Sequence, residues 1–341
     1  MKIIKLAASR PSPRSTFIAF LLVAWVGACG GESTSTTNDG SDAGGGTGQA
    51  PMETLPQETN YRPCGRAEKV GDFGVALQSS SGIRFTNFQG SVKGGPNPLD
   101  DLEQKRVSGV CRLLAAKVRQ CPQSCTNGKV CSPALTCVDV PSQKNAGPIT
   151  VSGVGMGLTV LPSDKTNYYL STESIAYPGF DAGATIGLTA AGGEIPAFSL
   201  AVKGVAPLTV TPPTETVRKG APLRLSWEPT SVTTGARLHI IVSLDNHGKT
   251  KQQIECDAPD TGSLDIPEVL VSALWDLGVS GFPSLTMRRR AVESKTVGPG
   301  CVEFNVFAQE VLELQLEGIT SCTGPEDCPG KTCITPEKIC Q

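Results

Sequence analysis

Thirteen cysteines, two histidines and one Gly-Lys-Thr run are the residues of this chain whose types could do chemistry. Gly330-Lys331-Thr332 would close a phosphate-cradling loop if it ended the pattern G-x4-G-K-[ST] between a strand and a helix. Backbone N–H groups then wrap the phosphates, and the helix N-terminus faces them. Here five residues, not four, separate Gly324 from Gly330, and two of them, Pro325 and Pro329, have no N–H to donate. Nine residues follow Thr332, Pro336 among them, so no supporting helix is expected. An internal comparison identifies the feature. "GKTCITPEKIC" (330–340) repeats the frame of "GKVCSPALTC" (128–137), and Val130 stands where the magnesium-binding hydroxyl would be needed. What repeats is a cysteine frame around a Gly-Lys turn, and no nucleotide is expected.

Acid–base and nucleophilic chemistry find no better footing. The nucleophile-elbow pattern G-x-S-x-G does not occur. His239 alternates onto the polar side of a strand, and His247 sits in "DNHG", a hairpin-turn composition, so both read as surface residues. Asp100, Asp101 and Glu103 lie in a Pro-rich loop and read as solvated. "GVGMG" (153–157) lacks the spacing and following helix of a dinucleotide loop, and reads as strand and turn. No D-x-D-x-D-G calcium loop is present. No catalytic, cofactor or metal site is assigned, and the chain reads as no enzyme.

The N-terminus reads as an export signal. Lys2, Lys5, Arg10 and Arg14 precede an unbroken apolar run from Phe17 to Ala28, shorter than the roughly twenty residues that span a bilayer as a helix. Val26-Gly27-Ala28-Cys29 resembles the lipobox of bacterial lipoproteins. That resemblance implies cleavage before Cys29 and lipidation of its sulfur and new amino group. Gly30 in place of an aspartate implies an outer-membrane address, facing the periplasm or the cell surface. Loss of residues 1–28 leaves 26 basic against 32 acidic residues, a net charge of −6, which argues against nucleic-acid binding. The cluster Arg288-Arg289-Arg290 reads as the solvated face of a strand.

Twelve cysteines remain: Cys64, Cys111, Cys121, Cys125, Cys131, Cys137, Cys256, Cys301, Cys322, Cys328, Cys333 and Cys340. An even number in an exported chain reads as up to six disulfides. Zinc is the rival reading, but it favours C-x2-C pairs or histidine partners, and no C-x2-C occurs. Cys256 and Cys301 flank a short helix and could pair with each other.

The elements follow from pattern. Positions 30–50 lack Val, Ile, Leu and aromatics, so 29–60 reads as a disordered tether with a reach of ~30 Å. From Tyr61 short alternating runs such as "DFGVALQ", "IRFTNFQGSV" and "PAFSLAVKG" read as strands. "RVSGVCRLLAAKVRQC" fits helix or strand. "APLRLSWEP", "RLHIIVSLD" and "VEFNVFAQEVLELQLE" alternate cleanly, with a helix expected at "PEVLVSALWDL" behind Pro267. The expected fold class is mainly β. Two sandwich-like domains, 61–206 with a Cys-rich insert at about 111–140 and 207–318, precede a Cys-rich module at 319–341.

"PLRLSWEP" and the strand after it resemble the B and C strands of fibronectin type III-like and other Ig-like sandwiches. The frame Cys322, Cys328, Cys333, Cys340 resembles the small Dickkopf-type cysteine-rich repeats, and Cys121, Cys125, Cys131, Cys137 is a looser copy. Spacing leaves their connectivity open; first-to-third and second-to-fourth is the pairing expected. Lipobox, tether, β-domain and cysteine repeat together resemble myxobacterial-type outer-membrane lipoproteins. The resemblance implies a lipid-anchored, non-enzymatic envelope protein presenting β-sandwich and Cys-rich surfaces to a protein or glycan. An exported hydrolase of cell-wall or extracellular polymers, or a disulfide-rich protease inhibitor, are the alternatives.

Overall fold

Most of the alternating apolar and polar runs among the described residues from Tyr61 onward are strand. The computed structural model describes residues 61–341 apart from 81–82, 100–101, 118, 212–215, 233–234, 245–251, 281 and 335–336. The expected signal segment, Cys29 and the tether therefore lie outside the described residues, as do His247, Asp100 and Asp101.

The first strands are β1 (Lys69–Ser80), β2 (Ile83–Val92), β3 (Leu102–Ser108) and β4 (Cys111–Ala116). A small ladder, β5 (Val130–Cys131) and β6 (Cys137–Val138), precedes β7 (Ile149–Ser152), β8 (Leu158–Val160) and β9 (Tyr169–Leu170). Next come β10 (Thr185–Ala190), β11 (Phe198–Lys203), β12 (Val210–Thr211) and β13 (Leu223–Trp227). The chain continues through β14 (Arg237–Ser243), β15 (Gln252–Pro259), β16 (Ser263–Ile266) and helix α1 (Glu268–Asp276). It ends with β17 (Ser284–Val297), β18 (Gly300–Glu313) and the ladder β19 (Cys333–Ile334) and β20 (Ile339–Cys340).

One nine-stranded sheet dominates, in the order β3-β4-β15-β14-β17-β18-β1-β2-β9. All its ladders are antiparallel except β1 with β18, which run parallel from Lys69 opposite Cys301 to Ser79 opposite Glu310. A four-stranded sheet, β11-β10-β7-β8, and a three-stranded sheet, β12-β13-β16, complete the layering. One face of the large sheet carries Phe73, Val75 and Leu77 of β1, Leu238, Ile240 and Val242 of β14, and Val302, Phe304 and Val306 of β18. These pack in a single apolar core with Ile186, Leu188 and Phe198 of the four-stranded sheet, Leu223, Leu225 and Trp227 of the three-stranded one, and Leu270 and Leu274 of α1. The fold is mainly β and sandwich-like.

The core is close-packed at its aromatic centre. Phe73 meets Phe88, Tyr169 and Phe198 at centroid distances of 6.4, 5.5 and 6.0 Å. Gly90 makes this possible, since a Cβ there would sit 2.2 Å from Phe73 Cδ1. The ambiguous stretch after Arg106 resolves as a hairpin, with Gly109 at φ +59° in the turn between β3 and β4. Helix α1 forms where expected, directly behind Pro267.

The expected boundary at 206/207 does not separate two sandwiches. Residues 61–341 belong to one unit. The large sheet takes β1–β4 and β9 from one side of that boundary and β14, β15, β17 and β18 from the other. Parity along each strand specifies which residues face a core; it says nothing about which strands share it.

All twelve cysteines of the described part are paired. In the small modules the bonds are Cys121–Cys131 and Cys125–Cys137, then Cys322–Cys333 and Cys328–Cys340, first-to-third and second-to-fourth in each. The expected Cys256–Cys301 bond is not made. Cys256 of β15 lies opposite Cys111 of β4 and bonds to it. Cys301 opens β18 beside the start of β1, where Cys64 is its partner. Cys111 thus belongs to the large sheet, and the Cys-rich insert is confined to residues near 121–138.

Candidate functional site

The other face of the large sheet holds the chemistry. Along β14 the residues facing away from the core are Arg237, His239 and Ile241; across the ladders they meet Arg290, Arg288 and Thr286 of β17. On the other side of β14, Glu255 and Asp257 of β15 stand opposite Ile241 and His239. Beyond β17 come Glu303, Asn305, Phe307 and Gln309 of β18, then Asp72, Gly74 and Gln78 of β1. Neighbouring strands therefore bring charged and amide side chains together on one face. Residues 61–68 cross over it. They start at Tyr61, bridged to Val292, and Cys64 ties them to Cys301. Strap and sheet enclose a cleft of about 930 Å³.

Glu255 and Glu303 are buried in the cleft and paired with its cations, which is how burial of charge is tolerated. Glu255 accepts from three sides: His239 Nε2 at 2.9 Å, Arg112 at 3.1 Å and Arg66 at 2.5 Å. Burial by itself would raise the Glu255 pKa. The hydrogen bond from His239 and the charges of His239, Arg66 and Arg112 overcome it and hold the carboxylate well below its usual range. For His239 burial has the largest effect and lowers its pKa. The bond to Glu255 pulls upward, while Arg290 and Arg288 push down again, leaving the imidazole biased toward its neutral form. With Nε2–H on Glu255, Nδ1 is an acceptor, and it is buried without a partner.

Two further groups complete the face. Tyr61 donates to Asp257 at 2.5 Å and accepts from Arg290 Nε and Nη2 at 3.1 and 2.9 Å, with Arg237 and Arg290 over its ring. Burial raises its phenol pKa strongly; Arg290 opposes and Asp257 reinforces that shift. Lys69 bridges Asp72 and Glu303, and Glu303 also accepts from Cys64 N at 2.7 Å. Burial favours a lower pKa for Lys69, but the two carboxylates outweigh it and the net shift is upward. Asn305 donates to both carboxylates, which fixes its amide orientation and leaves Oδ1 buried with no partner.

Arg288 stands apart. Its Nε donates to Gln309 Oε1 at 2.5 Å and its guanidinium lies 5.3 Å from the centroid of the Phe307 ring. Gly74 leaves room for that ring, since a Cβ there would lie 3.1 Å from Phe307 Cε1.

Several sequence expectations change here. His239 is not a surface residue: only 8% of it is exposed, because its side of the strand faces a covered cleft. The Arg288–Arg290 run is not one solvated face either. Arg288 and Arg290 line the cleft, while Arg289 points to the core side. There it bonds Asp260 at 2.7 Å and the carbonyls of Pro207 and Glu228. Glu103 is exposed on β3 and pairs with Lys105. Gly330 has the positive φ of a turn and Lys331 N bonds Cys328 O, as Gly128 and Lys129 N to Thr126 O do in the first module, so the Gly-Lys is a turn in both. The sulfurs of Cys121, Cys125 and Cys137, and of Cys322, Cys328 and Cys333, each cluster within 4.8 Å, but every one is held in a disulfide. The cleft itself was missed. Its one signal was both signs of charge on the polar positions of five strands, which reads as a wet surface until the strand order is known.

Among the described residues no helix is long and apolar enough to cross a membrane. A scan against protein-family models and a search of curated proteins find nothing that matches this chain.

Proposed function

We propose that this protein is a lipid-anchored, non-enzymatic binding protein of the bacterial envelope, attached to the outer membrane through Cys29, and that the cleft on the outer face of the large sheet is its binding site. The observation that carries the reading is the concentration of buried ionic groups there. A solvated sheet face of this size needs none of them buried. Retaining Glu255 and Glu303 buried under a strap, with Arg288 and Arg290 half-buried beside them, costs desolvation that an apolar packing would avoid, and such costs are concentrated at functional sites. The lipobox-like "VGAC" and the six disulfides support export and anchoring.

Two measurements test it. Cells fed a radiolabelled fatty acid should label the wild-type protein and not Cys29→Ser. The anchorless Cys29→Ser protein should still be retained on isolated envelopes, and adding Ser91→Trp, which crowds the cleft wall, should abolish that retention; unaltered retention in the double variant would remove the cleft from the function. A second reading, an exported hydrolase, has one observation in its favour: Glu255 orients His239 so that Nδ1 is left as a base. Turnover of a wall polymer lost in His239→Gln would establish it instead.

A further inference from the structure

The cleft holds an unbalanced set of hydrogen-bonding groups. Its lining counts five cationic side chains, Arg66, Lys69, Arg112, Arg288 and Arg290, against the carboxylates of Asp72, Glu255, Asp257 and Glu303, leaving one positive charge in excess. The whole chain carries a net charge of −2, so this is a local reversal of sign. The excess can be located. Arg66 and Arg112 end on Glu255, Lys69 on Asp72 and Glu303, and Asp257 pairs directly with Arg237 at the edge of the cleft and, through the Tyr61 hydroxyl, with Arg290. Arg288 makes no direct ion pair with a carboxylate among the described residues, Asp72 acting on it only at longer range; only its Nε is engaged, by a neutral amide oxygen, and one face lies on Phe307. A guanidinium with its outer N–H groups free and its plane backed by a ring is preorganised for a carboxylate.

The same cleft has acceptors to spare. His239 Nδ1 and Asn305 Oδ1 belong to residues more than nine-tenths buried, and neither has a partner. Buried acceptors left unmade are rare in native structures and call for an occupant. A ligand that completes this set must bring an anion for Arg288 and hydroxyl donors for the two acceptors. Water brings donors without charge, and an inorganic oxyanion brings charge with few or no donors. A polyhydroxylated acid brings both. An adjoining recess of about 330 Å³ shares Arg66, Lys69, Asp72 and Ser91 with the cleft and adds Lys93, again without a carboxylate partner among the described residues. The site is therefore longer than one sugar ring.

We propose that the cleft binds an acidic oligosaccharide of the uronic type, one carboxylate seated on Arg288 and ring hydroxyls donated to Asn305 and His239. The proposal rests on the binding reading above and names its ligand class. Small-to-medium clefts with a few placed polar groups are the usual form of such sites.

The test is calorimetric titration of the full-length protein with tri-galacturonate, with its carboxyl-reduced neutral counterpart, and with inorganic phosphate. Tri-galacturonate should bind, the neutral trimer should bind about tenfold more weakly or not at all, and phosphate should not compete at equal concentration. Arg288→Gln should weaken the acidic trimer by about tenfold or more, and affinity should fall as salt is raised. Gln89→Glu, an exposed change on the cleft wall, should weaken it several-fold without moving the melting temperature, so the question stays open to test if Arg288→Gln fails to fold. Equal affinity for acidic and neutral trimers, competition by phosphate, no binding of either trimer, or indifference to both substitutions would each overturn the proposal. Envelope retention that still depends on Ser91 would then leave the binding reading standing without this ligand.

Discussion

At the residue scale the informative side chains are charged ones that sit in the wrong place for a solvated strand. Glu255 serves His239, Arg66 and Arg112 at once. Removing one partner of a buried ion pair costs about 3–5 kcal/mol, but both arginines are more than a third exposed, so their share is screened. Glu255→Gln should therefore lower stability by about 2 kcal/mol, read from urea midpoints at neutral pH; no change would show that the network is decorative.

The same pair sets a pH dependence. His239 has a folded pKa below its unfolded value of about 6.5, so the unfolded chain takes up the proton first as pH falls. Its contribution is complete above about pH 6.5 and declines from there toward its lowered folded value. Glu255 adds a second decline that starts near the unfolded carboxylate value of about 4.3 and continues toward its own lowered pKa. The groups facing His239 are Glu255 and Asp257 of β15 and Arg288 and Arg290 of β17. Midpoints measured between pH 4 and 8 should flatten in the upper window in His239→Asn; a wild-type profile flat from pH 8 to 5 would contradict the assignment.

At the element scale the cysteine modules and the large sheet obey different physics. The C-terminal module buries little beyond Cys322, Cys328 and Cys340, so its two disulfides stand in for a core. Cys322→Ser with Cys333→Ser should cost the module about 3 kcal/mol, opening Lys331 and Lys338 to trypsin while amide protection of β14 and β18 is unchanged. Loss of protection across the large sheet would show the module to be structurally coupled to it. Much of this level was legible. Strands β1, β2, β11, β13, β14 and β18 lie where alternation placed them, because parity is a local consequence of one buried face. The stretch around Gly109 was not, since Val107, Cys111 and Leu114 fit a helical face as well as the hairpin they form. The local pattern held no term for β15, the strand that pairs with β4 and decides the matter.

At the scale of the whole molecule, the first long strand lies parallel to the last, β1 on β18, and the sheet is closed across a boundary that composition suggested. Residues 207–318 alone would leave β18 and β15 without their neighbours β1 and β4, and Phe304 and Val306 without Phe73. That fragment should stay unfolded, with collapsed amide proton dispersion by NMR; a dispersed spectrum would mark it as a domain in its own right. The Cys64–Cys301 bond closes the largest loop in the chain, with a separation of 237 residues, and it also pins the strap over the cleft. Its removal is expected to cost about 5–6 kcal/mol at most by chain entropy.

The sequence by itself determined the class of fold, the position of several of the longer strands, the turn nature of the Gly-Lys pairs and the division of cysteines into two small frames and four outlying residues. Each of these depends on neighbours within a few residues, where parity, glycine conformation and short loop closure act. Only the tertiary structure decided that Cys64 meets Cys301 and Cys111 meets Cys256, that Arg288, Arg289 and Arg290 face two different environments, and that His239 is buried. Those outcomes depend on strand order and on a strap that joins positions more than two hundred residues apart, and alternation along a strand is blind to both.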